Sequence, residues 1–397
     1  MTKVEWKEKK TSVGNAIIIG AVMTVIGIFV GANFKSWFGT VGNLLGFTNT
    51  KTSVVDWSPL DEVYNQLSSS YNGELNKSKI IDGAKKGLVE AVGDNYTVYM
   101  DAETSSDFYD DLHGNVGYGI GVEIGMRDGY VRVLRTLPDN PAKRAGILAG
   151  DIMFKIDDEE VWSLKSEEVA RKVRGGEGTN VKVTVVRDGK ELTFDLTREK
   201  INNVSAYVEY DGNTAIIVIT RFDNDTGTKV QNMAKEFESK KIDKIILDLR
   251  NNGGGYVSAA QDLLSLWLDG QDILIQKSKH LGNTVSKSSS GKAIFKSFKT
   301  VVLVNGSTAS ASEIVAGAMQ DYKIATIVGE KTYGKGVVQG LYSLSDGGTL
   351  KVTTAEWFTP KERSINGTGI TPDIVVERTY DDINAMRDPQ LSKAKEL

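Results

Sequence analysis

A serine and a lysine occupy positions from which their side chains could carry out acyl-transfer chemistry together. Ser310 stands at the start of an apolar-periodic helix, and Lys335 follows one helix and one strand later. A serine hydroxyl is a weak nucleophile at neutral pH and needs a base within about 2.6–3.2 Å to take its proton. The chain has only two histidines, His113 and His280, and no cysteine. Both histidines fall in polar surroundings away from the turns described below, so the sequence indicates an amine as the activating base.

Lys335 can act as a base only when its amine is neutral. An exposed lysine has a pKa of about 10.4, and burial between apolar neighbours such as Tyr333, Val337 and Val338 would have to lower it. Gln339 lies four residues after Lys335. Its side chain can accept a hydrogen bond from the amine without adding a negative charge that would raise the lysine pKa. The sequence therefore predicts that Gln339 orients Lys335.

The tetrahedral intermediate of such a reaction needs hydrogen-bond donors for its oxyanion. The backbone N–H groups of Gly254 and Ala311 are the predicted donors. Ala311 opens a helix, whose positive end favours negative charge, and Gly254 belongs to a glycine turn in which the sequence alone does not separate it from Gly253. Each residue also has another interpretation: the serine as a helix cap and the lysine as a solvated loop residue. The glycine turn could cradle a phosphate, but no G-x-x-x-x-G-K-[ST] motif follows it.

Strands alternate with helices from Val204 onward, which is typical of an α/β core. If the strands run parallel, right-handed crossovers place every strand-to-helix turn at the same edge of the sheet. The glycine turn, the serine turn and the loop that carries the lysine then meet in space. The predicted strands cover residues 215–220, 244–249, 300–304 and 325–328, and the predicted helices cover residues 228–240, 256–268 and 310–321.

The segment from Gly117 to about Lys200 consists of short alternating stretches and tight turns, a pattern that indicates mostly β-strands. It contains a hairpin around Asp188-Gly189, a helix from Ser166 to Arg174, and a short helix after Pro141 that leads through a glycine turn into the strand 152–156. This arrangement resembles a PDZ domain. In that family the loop formed by Tyr118, Gly119, Ile120 and Gly121 would present N–H groups to the terminal carboxylate of a peptide, which adds itself as an edge strand. The alternative is that these glycines only relieve turn strain.

The amino terminus predicts a membrane anchor. The stretch from Ala16 to Ala32 has no charge, although it is slightly shorter than the ~20 residues that a bilayer helix prefers. Four lysines precede it and only Lys35 follows closely, so the positive-inside bias predicts a single-pass helix with the catalytic part outside the cytoplasm. A cleaved signal peptide is the alternative. The net charge of −4 gives no reason to expect a nucleic-acid partner.

Several runs of the chain resemble the carboxyl-terminal processing proteases, also called tail-specific proteases. The resemblance covers about residues 56–397. One departure is Asn95, which stands where proline is common in that family. The runs that carry it are Asp94 to Met100, Leu247 to Gly255, Ala309 to Ile314, Val328 to Gln339 and Thr359 to Asp373.

The resemblance implies a serine endopeptidase that passes through an acyl-enzyme, with Ser310 as the nucleophile, Lys335 as the general base and Gln339 orienting it. It implies no cofactor and no metal, and protein substrates with a free C-terminus that the PDZ domain recognises. Arg174 matches a PDZ arginine that links peptide binding to activation in related enzymes. Homo-oligomers through the terminal helical regions also occur in the family. The alternatives are an inactive PDZ scaffold at the membrane and a crotonase-like acyl-transfer enzyme.

The predicted fold class is a multidomain α+β chain. It combines an N-terminal transmembrane helix, a small helical region, a PDZ domain and a ClpP/crotonase-like α/β protease core. The predicted boundaries are a cytoplasmic N-terminus over 1–13, an anchor over 14–36, a linker over 37–55, a helical region over 56–114, a PDZ domain over 115–200, a protease core over 201–380 and a C-terminal helical tail over 381–397.

Overall fold

The computed structural model describes residues 55–397 apart from Asp128 and Met386, and it describes no side chain for Glu167, Tyr380 and Asn384. The predicted anchor over 14–36 lies outside the described residues. Within the described part of the chain, every helix is too short or too polar to cross a bilayer. The chain divides into a unit that ends at Asn76 and a unit from Lys77 to Leu397.

The first unit contributes one described helix, α1 (Ser58–Ser70). Trp57 holds its N-cap position and Ser58 is the first helical residue. Pro59 follows in the first turn, where its missing N–H has no helical partner to lose. The helix buries none of its residues.

The second unit begins with a small helical region. It contains α2 (Lys77–Glu90), β1 (Val98–Met100) and α3 (Ala102–His113), within the helical region predicted over 56–114. Asp101 caps α3 by accepting a hydrogen bond of 2.8 Å from the Thr104 N–H. Gly114 ends this helix in the left-handed conformation that a C-terminal cap requires.

The next segment is the predicted β domain. Its main sheet has the order β3-β4-β5-β7-β8, with every neighbouring pair antiparallel, and β2 pairs separately with β9. Valines of alternate strand positions, such as Val131, Val133 and Val183, form its buried core. Its strands are β2 (Tyr118–Gly119), β3 (Val122–Arg127), β4 (Tyr130–Thr136), β5 (Ile152–Ile156), β6 (Glu159–Glu160), β7 (Asn180–Arg187), β8 (Lys190–Thr197) and β9 (Glu199–Lys200), and its helices are α4 (Pro141–Ala145) and α5 (Ser166–Val173).

The remaining residues form an α/β core whose strands belong to two further sheets. In chain order its elements are β10 (Ala206–Asp211), β11 (Thr214–Ile219), α6 (Thr226–Met233), a 3₁₀ turn (Ala234–Glu236), β12 (Lys244–Asp248), α7 (Val257–Leu264), β13 (Asp272–Lys277), β14 (Thr284–Lys287), β15 (Lys299–Val304), α8 (Ala311–Tyr322), β16 (Thr326–Gly329), β17 (Val337–Ser343), β18 (Thr349–Phe358), β19 (Ile374–Val375), α9 (Tyr380–Asn384) and α10 (Pro389–Glu396).

The first core sheet has the order β10-β11-β12-β15-β16-β19. Strands from β11 to β19 pair in parallel, and only β10 runs antiparallel at the edge. Because β12, β15 and β16 run in the same direction, the turns that follow them leave one edge of the sheet, as predicted. Residues such as Ile217, Leu247 and Val302 are fully buried, and each contributes roughly 1.5–3 kcal/mol of hydrophobic stabilisation.

The second core sheet was not predicted from the sequence. It has the order β1-β18-β13-β14, and a fifth strand, β17, also pairs with β18. The register places Gln339 opposite Thr353 and Leu341 opposite Lys351. Since residues opposite each other in an antiparallel pair share a face, this sheet fixes where Gln339 points.

Two predicted helices end earlier in the structure. The helix predicted over 228–240 stops at Met233 and continues as a 3₁₀ turn, and the helix predicted over 256–268 stops at Leu264. Short 3₁₀ turns commonly tighten the last turn of a helix, where periodicity alone does not separate them from α-helix.

Candidate active site

One cavity of about 430 Å³ is lined by Ser310, Lys335, Gln339 and Gly254. The cavity lies at the sheet edge where the glycine turn, the serine turn and the lysine loop leave β12, β15 and β16. The structure therefore brings together the three residues predicted for the nucleophile, the base and its orienting group.

Ser310 has a backbone conformation that non-glycine residues rarely adopt. Its φ is 56° and its ψ is −118°, outside the common regions for an L-residue. Such strain of about 1–3 kcal/mol persists only where surrounding contacts hold it, and it concentrates at functional sites. The Ser310 N–H donates to Oε2 of Glu313 at 2.9 Å, one of the contacts that hold this conformation.

Glu313 joins the serine helix to the lysine loop and was missed by the sequence analysis. Its fully buried carboxylate also accepts hydrogen bonds from Thr332 Oγ1 at 2.5 Å, the Gly334 N–H at 2.7 Å and the Lys335 N–H at 2.9 Å. The signal in the sequence is a glutamate three residues after a serine at a helix start, the spacing of a capping box. The carboxylate thus fixes the backbones of Ser310 and Lys335 relative to each other.

The predicted hydrogen bond between Lys335 and Gln339 is present. Lys335 Nζ donates to Gln339 Oε1 at 2.7 Å, and the Gln339 amide donates in turn to the Tyr96 carbonyl. The Tyr96 ring centroid lies 5.5 Å from the amine. Among the described residues, no hydrogen bond joins the Ser310 hydroxyl to the Lys335 amine, which is held by Gln339 instead.

The surroundings of Lys335 lower its pKa from the ordinary value. Burial of the amine is the largest cause, the positive charge of Lys351 adds to it, and the negative charge of Glu313 opposes it. Of the apolar neighbours that the sequence offered for this burial, Val337 is buried, but Tyr333 is 58% exposed and covers the amine little. The shift favours the neutral amine, the form that can accept a proton.

Gly254 lies against the serine, but its N–H already has an acceptor. With φ at 105°, the glycine is so close that a Cβ there would stand 2.8 Å from Ser310 Cβ and 3.0 Å from the Ala311 nitrogen. The Gly254 N–H donates to Asn252 Oδ1 at 2.8 Å. Ala311 is the first residue of α8, so its N–H has no acceptor within the helix.

Asn252 holds the glycine turn against the start of α8. Its side-chain amide donates to the Ile219 carbonyl at 2.8 Å, and its own carbonyl accepts from the Ala309 N–H and from Ser312 Oγ, each at 3.0 Å. The side chain is fully buried. Asparagine next to glycines suggested only a turn in the sequence, so this role was not found there.

A second cavity, of about 350 Å³, is lined mainly by residues of the β domain. Three of the four loop residues predicted to bind a peptide line this cavity, namely Gly119, Ile120 and Gly121. The fourth, Tyr118, belongs to β2 and pairs with Lys200. The backbone of Gly121 has φ at 77°, and a Cβ there would stand 2.2 Å from Asn140 Cβ, so this position requires glycine.

Arg174 also lines the second cavity. Its guanidinium lies 3.6 Å from the Asp111 carboxylate, and both side chains are more than half exposed. Asp111, Thr220 and Arg221 line both cavities, so the two cavities adjoin at these residues. The wall of the two adjoining cavities therefore runs from the predicted peptide loop to Ser310.

The β domain also contacts the core just before the glycine turn. Arg135 on β4 pairs with Glu123 at 2.6 Å and donates to the Arg250 carbonyl at 2.6 Å. Burial raises the pKa of Glu123, while the charges of Arg135 and Arg221 oppose this effect. The histidines lie elsewhere: His113 Nε2 is 3.3 Å from the Tyr256 hydroxyl, and His280 is exposed.

Comparisons with known proteins identify the families that match parts of this chain. The family model of peptidase family S41 matches residues 213–376, the PDZ domain model matches residues 119–197, and the model of the activating protease CtpB N-terminal domain matches residues 22–104. A probable CtpA-like serine protease of Staphylococcus aureus strain MRSA252 is 32% identical over 93% of this chain and 73% of its own length. One of Staphylococcus saprophyticus is 32% identical over 82% of this chain and 67% of its own length.

A solved structure of a C-terminal processing protease is also similar to this chain. The photosystem II D1 C-terminal processing protease superposes with a TM-score of 0.56 and 26% identity, covering 81% of this chain and 87% of that chain. The chain therefore belongs to peptidase family S41, as a CtpA-like C-terminal processing serine protease with a PDZ domain.

Proposed function

We propose that the protein is a membrane-anchored endopeptidase that cleaves peptide bonds with a Ser310–Lys335 dyad and recognises substrate C-termini through its PDZ domain. The observation that carries the proposal is the burial and hydrogen bonding of the Lys335 amine. The amine is half-buried, held by Gln339 at 2.7 Å and directed to the cavity that Ser310 also lines. A lysine whose pKa is lowered in this way can serve as a general base.

In the proposed reaction, Ser310 Oγ attacks the carbonyl carbon of the scissile peptide bond while neutral Lys335 takes the hydroxyl proton. The resulting ammonium then gives this proton to the leaving amine, and the C–N bond breaks to leave an acyl-enzyme on Ser310. A water molecule attacks the acyl carbon, again with Lys335 as the base. The ester bond then breaks, and Ser310 recovers its proton from Lys335. Gln339 keeps the amine oriented through both half-reactions.

The oxyanion of each tetrahedral intermediate would be stabilised by the Ala311 N–H and by an N–H of the glycine turn. In the arrangement described above, Asn252 engages the Gly254 N–H and Lys335 is not bonded to Ser310. We therefore propose that substrate binding completes the site, by turning the Gly254 N–H toward the substrate and bringing the hydroxyl within reach of the amine. Catalytic hydrogen bonds often tighten only in the substrate complex.

For substrate recognition, we propose that the Gly119 to Gly121 loop receives the terminal carboxylate of a peptide and that Arg174 links its binding to the catalytic cavity. The support is geometric, because Arg174 and the loop line one cavity and Asp111, the ion-pair partner of Arg174, lines both cavities. A peptide in that groove would add as a strand beside β3.

The dyad is tested with the full-length chain in detergent and a protein substrate that ends in small apolar residues. Ser310→Ala and Lys335→Ala should each abolish turnover, while Lys331→Ala, an exposed lysine of the same loop, should leave it unchanged. Undiminished turnover in either dyad variant would reject the mechanism. Peptide binding by the unaltered protein without any turnover would favour the inactive scaffold instead.

Membrane anchoring and oligomerisation are further parts of the proposal. The uncharged stretch over 16–32, with four lysines before it, supports a single-pass anchor with the catalytic part outside the cytoplasm. Exposed apolar side chains on α1, including Leu60, Val63 and Leu67, support self-association through the helical region. Protease shaving of intact cells and light scattering of the purified protein test these points. A protein that is protected from shaving, or monomeric at all concentrations, contradicts the respective point.

A further inference from the structure

A second lysine lies in the catalytic cavity, and no described residue supplies its counter-ion. Lys351, on β18, lines the cavity together with Ser310 and Lys335 and is half-buried. Its ammonium lies 5.5 Å from the centroid of the Phe108 ring. In the described part of the chain, no hydrogen bond or ion pair joins this ammonium to another side chain or to the backbone.

This lysine differs from the other lysines that are buried or half-buried in the described residues. Each of those has an acceptor: a carboxylate in most cases, the Lys395 carbonyl for Lys244 and the Gln339 amide for Lys335. Burying a charged group without a partner costs free energy, so a structure normally supplies one. The lysines with acceptors are Lys85, Lys155, Lys182, Lys229, Lys244, Lys335 and Lys393.

The position of Lys351 relative to the candidate dyad follows from strand register. Lys351 pairs with Leu341 on β17, and Gln339 pairs with Thr353 on β18. Gln339 and Lys351 are therefore diagonal neighbours on the same face of the sheet, about 7–8 Å apart between their Cα atoms by the usual geometry. Since Gln339 holds the Lys335 amine, a group bound to Lys351 would lie beside the reacting bond.

The carboxylates near the cavity do not neutralise Lys351. Asp111 lines the cavity, but it lies against Arg174 at 3.6 Å and is mostly exposed. Glu313 is fully buried and accepts four hydrogen bonds from the serine turn and the lysine loop. Burial lowers the pKa of Lys351, and no carboxylate of the described residues offsets this effect. A carboxylate brought by a ligand would offset this desolvation through a charge-assisted hydrogen bond.

We propose that Lys351 forms a subsite for a carboxylate of the peptide substrate, next to the scissile bond. The carboxylate belongs either to an acidic side chain or to the free C-terminus of a short tail, which share the same chemistry. The inference rests on the proposed endopeptidase function and adds a preference for acidic substrates at the catalytic cavity. This subsite is separate from the groove of the PDZ domain.

The test uses the full-length chain in detergent and peptides that differ only in one carboxylate. One pair carries Glu or Gln beside the scissile bond, and the other carries a C-terminal acid or amide. The kcat/KM of each peptide is measured for the unaltered protein, Lys351→Met, Lys351→Arg and Lys292→Met. Lys292 is exposed and makes the same charge change away from the cavity. Measurements are made on the pH plateau of each protein.

The unaltered protein should prefer the carboxylate peptide of at least one pair by about 10- to 100-fold, the usual range for a hydrogen bond to a charged group. Lys351→Met should remove this preference, Lys351→Arg should retain part of it, and Lys292→Met should retain all of it. The pair that shows the effect identifies the source of the carboxylate. The PDZ groove can add its own preference for a free acid, but that contribution persists in Lys351→Met, so only the lost part is assigned to Lys351.

Two outcomes overturn the subsite. One is an equal preference in the unaltered protein and in Lys351→Met. The other is that Lys351→Met cleaves all peptides more slowly by the same factor and moves the acidic limb of the pH profile to higher pH. This result would mean that Lys351 acts only by lowering the pKa of Lys335. If no peptide is cleaved at all, the endopeptidase proposal fails, and peptide affinities measured in the Ser310→Ala protein with and without Lys351→Met still decide the subsite.

Discussion

The side-chain oxygen of Asn252 accepts a hydrogen bond of 2.8 Å from the backbone N–H of Gly254. The same asparagine binds the Ile219 carbonyl with its amide and the start of α8 with its backbone carbonyl. A donor predicted for the oxyanion is therefore engaged by another part of the protein. Release of this donor and alignment of Ser310 with Lys335 are two separate steps that the proposed mechanism requires.

Gly254→Ala should abolish turnover, because the added Cβ would stand 2.8 Å from Ser310 Cβ on a backbone with φ at 105°. We expect kcat to fall at least about 100-fold, as on loss of an oxyanion donor. The matched control is Gly282→Ala, where φ is 76° and no atom lies within 4 Å of the added Cβ. The control should lose roughly 1 kcal/mol of unfolding free energy and keep its activity. Equal kcat values in the two variants would contradict the close approach.

Lys335→Met should change the pH dependence of stability. Burial lowers the folded-state pKa of Lys335 below its ordinary value of 10.5, so between these two pKa values the unfolded chain binds more protons than the folded one. The charged lysine therefore costs stability at and below its folded pKa, and this cost disappears as the pH rises toward 10.5. Relative to the unaltered protein, the Tm of Lys335→Met should be highest near neutral pH and fall as the pH is raised. A difference in Tm that does not vary with pH would argue against a shifted amine.

Gln339→Glu should raise the pKa of Lys335, because it places a carboxylate where a neutral oxygen now accepts the amine hydrogen bond at 2.7 Å. At neutral pH the rate should fall about tenfold for each unit by which the lysine pKa rises. Activity should recover at higher pH, where the amine is again neutral. The control is Gln231→Glu, an exposed position with the same charge change. A pH–rate profile that keeps its acidic limb in place would show that Gln339 does not act through the charge of the lysine.

Glu313→Gln should separate the serine turn from the lysine loop. One carboxylate oxygen accepts from the N–H groups of Ser310 and Lys335, and the other accepts from Thr332 and Gly334. An amide offers an NH₂ group to one of these donor pairs, so at least two buried donors lose an acceptor, at roughly 1–3 kcal/mol each. Unfolding by denaturant measures this loss, with Glu356→Gln, at an exposed position, as the control. A variant as stable as its control would refute the bridging role of Glu313.

Part of this site could be predicted because it depends on local pattern and on general rules of topology. Ser310 directly precedes α8, the strand predicted over 152–156 is β5, and the three turns leave one edge because β12, β15 and β16 are parallel. Periodicity and turn residues determine such elements within short windows, and the handedness of crossovers then restricts where their ends meet. The hydrogen bond from Lys335 to Gln339 belongs to the same class, since only four residues separate the two.

The sequence did not predict features of the site that depend on burial or on a partner residue distant in the chain. Of the apolar neighbours that the sequence offered for burial of the amine, Val337 is buried but Tyr333 is exposed. The sheet that contains β17 and β18 was not predicted. Burial depends on which elements pack over a residue, and periodicity in one segment does not contain that information.

The sequence by itself determined the residues that could do the chemistry, the elements that carry them and the family to which the chain belongs. Only the tertiary structure decided that Asn252 engages the Gly254 N–H and that Glu313 bridges Ser310 to the lysine loop. It also placed Lys351 in the same cavity, where no described residue supplies a counter-ion. The physical reason is that hydrogen bonding and desolvation act over a few ångströms in space, whereas these partners, apart from the neighbours in a turn, are brought together by packing between distant parts of the chain.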